Sequence, residues 1–420
     1  MQRKDAVTET APPPRQEPDL GEPGAYDLSD PAFVTDREAG RRWLTAPRPI
    51  CRGRSLDGSP CWVVTRYEDA RLVLTDPRFT SRPPGQSHAA GMRAQGVPED
   101  VVPLLDSNLL CMDREDHGRV RPLVTLAFSA RRVRTMRPAI EGMVGELLDA
   151  LDPDAENDLI ARFADPLPIR VVSHLIGVDE EHREQWLQWA HTFNGPVPPP
   201  PDVLAPALRG MVEVIRHLIA ERRRKPGDDL LSDLIRTHDE DGERLTDDEL
   251  AALAILVIQA GHDSVRQLIA LGVLTLLENP DQFELIRSGR TTWSSGLAEI
   301  MRHAAPVKHA FRRFPTEPVE VGGVTVTPGE GVLVVLAAAN RDPAEFPDPG
   351  VLDVTRSPNP HLGFSRGPHF CPGSTLAMTE VEIALKALFT RFPKVRLAVP
   401  AEEIAPQFLI GVRRLPVLLG

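Results

Sequence analysis

The stretch that decides the fold reads Phe364-Ser365-Arg366-Gly367-Pro368-His369-Phe370-Cys371-Pro372-Gly373. Cys371 lies between glycines, directly before a long apolar helical pattern that begins near Ser374. The positive end of that helix and the free N–H groups of the turn favour the thiolate form of the cysteine. Gly367 and Gly373 allow the backbone to pass close to a flat, bulky ligand, and Phe364 is placed to pack against the sulfur. The pattern therefore predicts a cysteine that ligates a metal.

A plainer interpretation of this stretch is a buried cysteine in a turn rich in Gly and Pro, because most buried cysteines have no reactive role. A thiolate on haem iron is one known use of a ligand in this position. The stretch resembles the haem-binding loop of the cytochrome P450 superfamily, with the matching residues Phe364, Gly367, His369, Cys371 and Gly373. The resemblance implies haem b as cofactor and Cys371 as the ligand of its iron. It also implies haem contacts at Phe364, His369 and Gly373.

The composition of the 420-residue chain restricts its partners and its location. Hydrophobic residues make up 41%, which is enough for a sizeable core. The formal net charge of −12 disfavours nucleic acid, which binds basic surfaces. The four cysteines are too sparse and too irregularly spaced for a disulfide framework. We therefore expect a cytoplasmic protein that does not bind nucleic acid.

Residues 1–26 contain a proline run and scattered acids but no apolar stretch, so they predict a disordered tail rather than a signal peptide or a membrane anchor. The most apolar segment, 250–258, is far shorter than the ~20 residues that span a bilayer. No internal linker follows the tail. We expect residues 27–420 to form a single soluble domain, monomeric and without a membrane partner, which by the resemblance is the catalytic domain.

Helical periodicity dominates the chain. Apolar residues recur at three- and four-residue spacing in 136–151, 167–175, 203–219, 245–277 and 376–392. Strands are confined to short runs such as 62–65 and 332–335, and Gly322-Gly323 joins two alternating runs into a predicted hairpin. The pattern predicts a mainly α protein with a small β region, and the resemblance implies the cytochrome P450 fold.

The longest predicted helix, 246–277, opens on a capping box in which Thr246 and Glu249 satisfy each other's terminal N–H groups. In its middle the apolar run gives way to Ala260-Gly261-His262-Asp263-Ser264-Val265-Arg266. A glycine inside a helix costs about 1 kcal/mol relative to alanine, and burying an acid costs more unless the acid is paired. The interruption predicts a functional demand at this point of the helix.

This interruption resembles the oxygen-binding part of the P450 central helix, where small residues leave a groove above the iron and an acid and a hydroxyl organise protons. Gly261 matches the groove glycine, Asp263 the acid, and Ser264 a position that usually holds threonine. The resemblance implies catalytic roles for all three in the activation of O₂. Serine keeps the hydroxyl but lacks the methyl group that restricts the rotamer. Alternatively, Asp263 pairs with Arg266 one turn later, on a solvated helix face.

Glu299-Ile300-Met301-Arg302 places an acid and an arginine on one helix face, close enough for a bidentate ion pair. Alone, this spacing occurs by chance in many helices. Here it follows the central helix and precedes the cysteine loop, and in that order the motifs resemble the P450 pattern. The resemblance implies that Glu299, Arg302 and Arg356 form a buried structural set that braces the haem loop.

A haem pocket in an acidic protein needs local cations for the two haem propionates. By the resemblance these cations are His117 and Arg121, which lie one helical turn apart, together with Arg313 and His369. Pro122 directly follows Arg121 and predicts a kink or a late start of the helix, because proline removes a backbone hydrogen bond.

The motifs extend over about residues 32–419 in the family's order. The resemblance implies a bacterial-type mono-oxygenase that activates O₂ to oxidise a small organic molecule in secondary-metabolite biosynthesis. No reductase domain is appended, so we expect electrons from NAD(P)H through a ferredoxin and a ferredoxin reductase. The basic run 131–134, with Arg366 beside the cysteine loop, is a candidate docking patch for such an acidic electron-transfer protein.

Three alternatives stay open at the level of sequence. Pro372, where leucine is usual, makes the loop similar to that of bacterial P450s acting on aromatic cyclodipeptides, which implies oxidative C–C or C–N coupling without oxygen insertion. A peroxide-driven enzyme is disfavoured, because such family members replace the acid and the alcohol that Asp263 and Ser264 retain. A non-catalytic haem-binding scaffold is disfavoured by the presence of Cys371.

Overall fold

The computed structural model describes residues 26–30, 43, 48–178, 182–193, 199–241, 245–404 and 411–420. Of the predicted N-terminal tail, residues 1–26, only Tyr26 belongs to this part of the chain. Tyr26 is 0% exposed and lies in strand β1 (Tyr26–Asp27), which pairs in parallel with β2 (Cys51–Arg54). Placing Tyr26 in a disordered tail is therefore wrong, and the reason is that a two-residue strand shows no periodicity.

Helices make up most of the described chain. They are α1 (Tyr67–Thr75), α2 (Ala89–Ala94), α3 (Val102–Asp106), α4 (Arg114–Ala127), α5 (Ala130–Asp149), α6 (Pro166–Ile176), α7 (Arg183–Phe193), α8 (Pro201–Arg224), α9 (Leu230–Asp241), α10 (Asp247–Glu278), α11 (Pro280–Arg287), α12 (Trp293–Ala304), α13 (Leu336–Ala339) and α14 (Ser374–Arg391). A π turn (Ile160–Ala164) leads into α6, and short 3₁₀ turns lie at Gly367–His369 and Ala401–Glu403. All the helical segments predicted from periodicity overlap these helices.

The strands are short and form small sheets. Besides β1 and β2 they are β3 (Pro60–Val64), β4 (Phe79–Thr80), β5 (Asn157–Asp158), β6 (Phe314–Pro315), β7 (Val319–Val321), β8 (Val324–Val326), β9 (Gly331–Val334), β10 (Arg396–Leu397) and β11 (Pro416–Leu418). The largest sheet has the order β1-β2-β3-β9, with β3 parallel to β9. Gly322 and Gly323, at φ +57° and +83°, turn β7 into β8, which confirms the predicted hairpin.

The core is organised around α10. Its predicted capping box is present, because the Glu249 amide donates to Thr246 Oγ1 (3.1 Å) and the Thr246 amide donates to the Glu249 carboxylate (2.7 Å). The helix is buried along most of its length and packs against α6, α8, α12 and α14. Each buried leucine on it contributes about 1.5–3 kcal/mol by leaving water. Within the described ranges, none of the helices has both the length and the apolar character needed to cross a bilayer.

Helix α4 positions residues beside the cysteine loop. It begins at Arg114 and continues through Pro122 without a break, so of the two expectations for Pro122, a kink or a late start, the late start is wrong. His117 and Arg121 therefore lie on the same helix, one turn apart, and His117 is buried. Proline is accommodated inside α4 at the loss of one backbone donor.

Candidate active site

The cysteine loop ends at the first turn of α14. The Cys371 amide donates to the Phe364 carbonyl (2.9 Å), which closes the loop on itself. Burial raises the pKa of the Cys371 thiol above its ordinary value, and the backbone N–H groups of Gly373 and Ser374 and the nearby Arg121 guanidinium offset this only in part. The sulfur is thus held against donors and a cation, which is the surrounding a thiolate needs once it is charged.

The two glycines of the loop serve different purposes. Gly367 has φ +72°, and a Cβ there would collide with the backbone carbonyl of Leu74 at the end of α1. Protein packing, rather than a ligand, requires this glycine, contrary to the sequence interpretation. At Gly373 a Cβ would lie 3.5 Å from the Phe128 ring and 3.9 Å from the Cys371 sulfur, at ordinary van der Waals distance. The polypeptide alone therefore does not require a glycine beside the sulfur.

Phe364 is half-buried and packs against the main hydrophobic core. Its ring centroid lies 6.4 Å from that of Phe370 and 6.0 Å from that of His361. The ring is therefore fixed by aromatic neighbours on the same loop, and its carbonyl is the acceptor for Cys371. This arrangement shields one side of the loop from water.

Four potential cations converge beside the cysteine loop, as the sequence predicts. Arg121 donates to the carbonyl of Phe370, the residue before Cys371. The rings of His117 and His369 lie 4.5 Å apart, centroid to centroid. Arg313 is buried, 5% exposed, in the segment between α12 and β6. The arrangement joins α4, the cysteine loop and the start of a strand at one place.

Ser81 connects these cations, and nothing in the sequence marked it. Its hydroxyl lies 3.1 Å from His369 Nε2 and 3.4 Å from an Arg313 guanidinium nitrogen. The Ser81 amide donates to both carboxylate oxygens of Asp113, at 2.7 and 2.9 Å. Asp113 is thereby used to hold the Ser81 backbone. The pairing of β4 with β6 brings Ser81 next to Arg313, and this pairing has no local pattern in the sequence.

The two arginines at this site form no ion pair with a described carboxylate, although nearby Asp113 raises the pKa of Arg313. Within the described ranges, neither Arg121 nor Arg313 has a carboxylate at ion-pair distance, and His117 Nε2 is buried without a hydrogen-bond partner. Burial lowers the pKa of Arg313 to about 10. Burial, helped by Arg313 and His117, lowers the pKa of His369 to about 3. Burying cations without a counter-charge is costly, so this cluster is built to receive a bound anion.

Glu299, Arg302 and Arg356 lie together in a second buried set. Two Arg302 nitrogens contact the two Glu299 oxygens at 2.7 and 2.8 Å, and Arg356 Nε lies 3.2 Å from Glu299. The exposed fractions of the Arg302 and Glu299 side chains are 0% and 1%. Arg302 also donates to the backbone carbonyls of Asn340, Pro349 and Val351. These bonds tie α12 to the segment that leads toward the cysteine loop.

The interrupted part of α10 remains helical throughout. A Cβ at Gly261 would lie 2.6 Å from Val172 Cγ2, so this glycine allows α6 to pack closely against α10. The Ser264 hydroxyl donates to the Ala260 carbonyl (2.9 Å), a contact that often bends helices. Asp263 forms an ion pair with Arg266. The exposed fraction of the Arg266 side chain is only 11%, so the pair does not lie on a solvated face.

Comparison with known proteins decides the family. A family model described as Cytochrome P450 matches residues 294–409. The chain is 39% identical to 6-deoxyerythronolide B hydroxylase of Saccharopolyspora erythraea, over 94% of this chain and 98% of the relative. The chain belongs to the cytochrome P450 family. It is also 38% identical to cytochrome P450 monooxygenase PikC of Streptomyces venezuelae, over 99% of this chain and 97% of the relative.

A solved structure agrees with the sequence relatives. The fold of this P450 superposes with a TM-score of 0.83 on the tirandamycin C-bound P450 monooxygenase TamI, at 34% identity, covering 94% of this chain and 100% of that one. The predicted fold, mainly α with a small β region, is confirmed. As a P450 mono-oxygenase the protein uses haem b, O₂ and reducing equivalents delivered by redox partners.

The residues at the cysteine loop fit haem b. Haem presents an iron that accepts a thiolate and two carboxylates that need cations. The loop offers the Cys371 sulfur, and beside it lie unpaired arginines and the orphaned Nε2 of His117. We expect Cys371 to bind the iron and Arg121, Arg313, His117 and His369 to bind the propionates. Gly373, which protein packing does not require, would leave space for the macrocycle.

Proposed function

We propose that this P450 oxidises a bulky organic secondary metabolite, with Cys371 as the axial thiolate and Asp263 and Ser264 as the residues that deliver protons. When bound, a thiolate-ligated haem supplies the reductive cleavage of O₂. One observation carries the proposal: within the described ranges, the Cys371 loop lies beside two arginines that have no carboxylate at ion-pair distance and beside the buried His117 Nε2, which has no hydrogen-bond partner. A scaffold protein would have no need to retain this combination.

The proton-delivery role is supported by the placement of a hydroxyl and a carboxylate on adjacent residues where the apolar run of α10 is interrupted. Ser264 is half-buried, and its hydroxyl can leave the Ala260 carbonyl by a χ1 rotation. The Asp263 side chain keeps 31% exposure although it lies in the middle of α10. A carboxylate and a hydroxyl on adjacent residues can pass a proton inward from solvent.

The substrate class is supported by the relatives and by the apolar character of one segment. Relatives are named for hydroxylation of 6-deoxyerythronolide B and for hydroxylation or epoxidation of mycinamicin IV. In this chain, Val307 and Phe311 are large hydrophobic residues with exposed fractions of 36% and 64%, a few residues before Arg313. Apolar side chains exposed next to a candidate propionate contact favour an apolar ligand.

Electron delivery is proposed to come from a ferredoxin, reduced by NAD(P)H through its reductase. Phe370 on the cysteine loop and Leu126 on α4 are exposed by 45% and 71%, and the Arg121–Phe370 bond holds loop and helix together. Of the predicted basic patch, Arg132 is neutralised by Asp233, which leaves Arg131, Arg134 and Arg366 as the charges for an acidic partner. Such complementary charge accelerates association.

Product mass tests the proposal directly. The purified protein, with ferredoxin, ferredoxin reductase, NADPH and O₂, is incubated with a panel of secondary metabolites headed by 6-deoxyerythronolide B. We expect an NADPH-dependent product heavier by one oxygen atom. A product lighter by two hydrogens would favour oxidative coupling instead. A haem-loaded protein that oxidises no member of the panel and shows no spin-state change with any of them would contradict the proposed substrate class.

A further inference from the structure

Asp165 forms the centre of a second charge cluster, outside the haem-binding residues. It follows the π turn directly, before α6, and its carboxylate is buried. Its Oδ2 accepts a hydrogen bond from His191 Nε2 on α7 at 2.6 Å. On its other side lies α10, where His262 Nε2 is 3.3 Å from the Asp165 carbonyl and 3.0 Å from Oδ1. Asp165 therefore bridges two helices that are far apart in the sequence.

Arg266 lies between Asp165 and Asp263. Its Nε is 3.1 Å from Asp263 Oδ1 and 3.6 Å from Asp165 Oδ1. Oδ1 of Asp165 is buried and lies 3.0 Å from His262 Nε2. A carboxylate oxygen can accept more than one hydrogen bond, so Oδ1 is also an acceptor for the Arg266 guanidinium. A movement of about 1 Å is enough to transfer Arg266 from one carboxylate to the other.

His191 connects this cluster to solvent. Its side chain is 56% exposed, whereas that of Asp165 is 9% exposed. The hydrogen bond to Asp165 raises the pKa of His191; nearby Arg266 lowers it and Asp263 raises it. The hydrogen bonds from the two histidines lower the pKa of Asp165 against the effect of its burial. The charged and titratable groups facing one another here are His191 on α7, Asp165 before α6, and His262, Asp263 and Arg266 on α10.

We propose that Asp165 and His191 are positioning residues that control the availability of Asp263. Protonated His191 neutralises Asp165 and leaves Arg266 on Asp263. Neutral His191 leaves the Asp165 charge without this cation, so that the charge attracts Arg266 more strongly, draws it away and frees Asp263 to carry protons. This inference rests on the proposed proton-delivery role of Asp263, and it makes that role dependent on the charge of an exposed histidine 26 residues from its partner.

Turnover without substrate tests the proposal, because O₂ is then reduced either to peroxide by one NADPH or to water by two NADPH. The ratio of peroxide recovered to NADPH consumed is measured between about pH 6 and 8.5 in haem-loaded protein supplied with ferredoxin and its reductase. We expect the wild-type ratio to fall as pH rises, because freed Asp263 supplies the second proton. Coupling energies between packed charged groups correspond to roughly 2- to 30-fold changes, so a change of about threefold or more is expected.

Variants separate this control from a general loss of structure. His191→Gln is expected to remove the pH dependence of the ratio, and Asp165→Asn to keep the ratio high at every pH. Asp165→Glu is expected to restore part of the wild-type profile. The matched control is His217→Gln, which removes another exposed histidine beside a carboxylate, Glu221 at 3.8 Å on α8. A His191→Gln protein with the wild-type pH profile, or a wild-type ratio that does not change with pH, would overturn the proposal.

A second readout needs neither turnover nor haem. The His191 ring titration is followed by NMR in the wild type and in Asp165→Asn. We expect its midpoint to fall in the variant, because the hydrogen-bond partner that raises it is lost. An unchanged midpoint would overturn the proposed network even if the protein is an active P450. If the Asp263→Asn variant forms as much peroxide as the wild type, this result would instead contradict the proton-delivery role of Asp263.

Discussion

Two charge clusters of this P450 differ in one respect. In the set formed by Glu299, Arg302 and Arg356, the buried acid has its cations within hydrogen-bond distance and the Arg302 donors reach carbonyls. In the group beside Cys371, the rings of His117 and His369 face each other, and His117 Nε2 has no hydrogen-bond partner among the described residues. The first set is complete without a ligand, whereas the second requires one. Their difference separates residues that hold the fold from residues that hold a cofactor.

Among the substitutions that test this difference, we expect Arg302→Met to cause the largest change in the free energy of unfolding. It removes one of the two arginines that pair with the buried Glu299 carboxylate, and breaking a buried pair typically costs about 3–5 kcal/mol. Denaturant unfolding should show this loss of free energy both with and without haem. Arg209→Gln is the control, because the Arg209–Asp100 pair is more than half exposed on both sides and should change stability by less than about 1 kcal/mol. If the two variants lower the free energy of unfolding equally, this result would contradict a structural role of the Glu299 set.

Arg313→Leu should affect the other cluster in the opposite way. The stability of the haem-free protein is expected to stay the same or to rise, because a buried unpaired cation is removed. Haem affinity is expected to fall by about 1.5–3 kcal/mol, the value of one hydrogen bond to a charged group. The measurement is the rate at which haem transfers to an acceptor protein. Unchanged transfer together with a destabilised haem-free protein would assign Arg313 to the fold instead.

The two glycines of the cysteine loop sharpen the same distinction. Gly367→Ala is expected to lower the free energy of unfolding by about 1–3 kcal/mol or more, because φ is +72° and the space is filled by the Leu74 carbonyl. Gly373→Ala should leave the stability of the haem-free protein within about 0.5 kcal/mol and weaken haem binding. The paired unfolding and haem-transfer measurements check both. If Gly373→Ala leaves the haem affinity unchanged, the space beside the Cys371 sulfur is not needed for haem binding.

The smallest expected effect is a change in how stability depends on pH, and it concerns His303, which follows Arg302 of the Glu299 set. Burial lowers the pKa of His303 to about 4, so the folded protein binds this proton less readily than the unfolded chain does. Stability should therefore decrease as pH falls from about 6.5, the ordinary value, toward 4, and remain constant above that window. His303→Gln should reduce the slope of stability against pH, and His217→Gln should not. A slope unchanged by His303→Gln would contradict the buried, neutral state of this histidine.

Local patterns in the sequence predicted those features whose geometry depends only on residues close together in the chain. The Thr246–Glu249 capping box, the Gly322-Gly323 hairpin and the Glu299/Arg302 spacing each lie within one element, so their geometry follows from helix or turn periodicity. Resemblance to the family supplied the longer connections between Cys371, Arg121 and Arg313. Tyr26 was misplaced, because a two-residue strand is stabilised by its partner β2 rather than by its own pattern.

Residues joined only by tertiary packing could not be predicted. Ser81 is 288 residues from His369, and Asp165 is 97 residues from His262. Neither residue interrupts a periodic pattern, and single serines and aspartates are common on surfaces. The sequence also did not predict that Gly261 lies in close contact with Val172, because this contact depends on how α6 crosses α10.

The central claim is that Cys371 binds haem iron as a thiolate, and the spectrum of the reduced protein under CO tests it most directly. The wild type should show a Soret band at ~450 nm, the signature of a thiolate ligand. Cys51→Ser, which replaces another cysteine that is not fully buried, should retain the band. Cys371→Ser should lose it. A band at the same position and intensity in Cys371→Ser would contradict the assignment of the axial ligand.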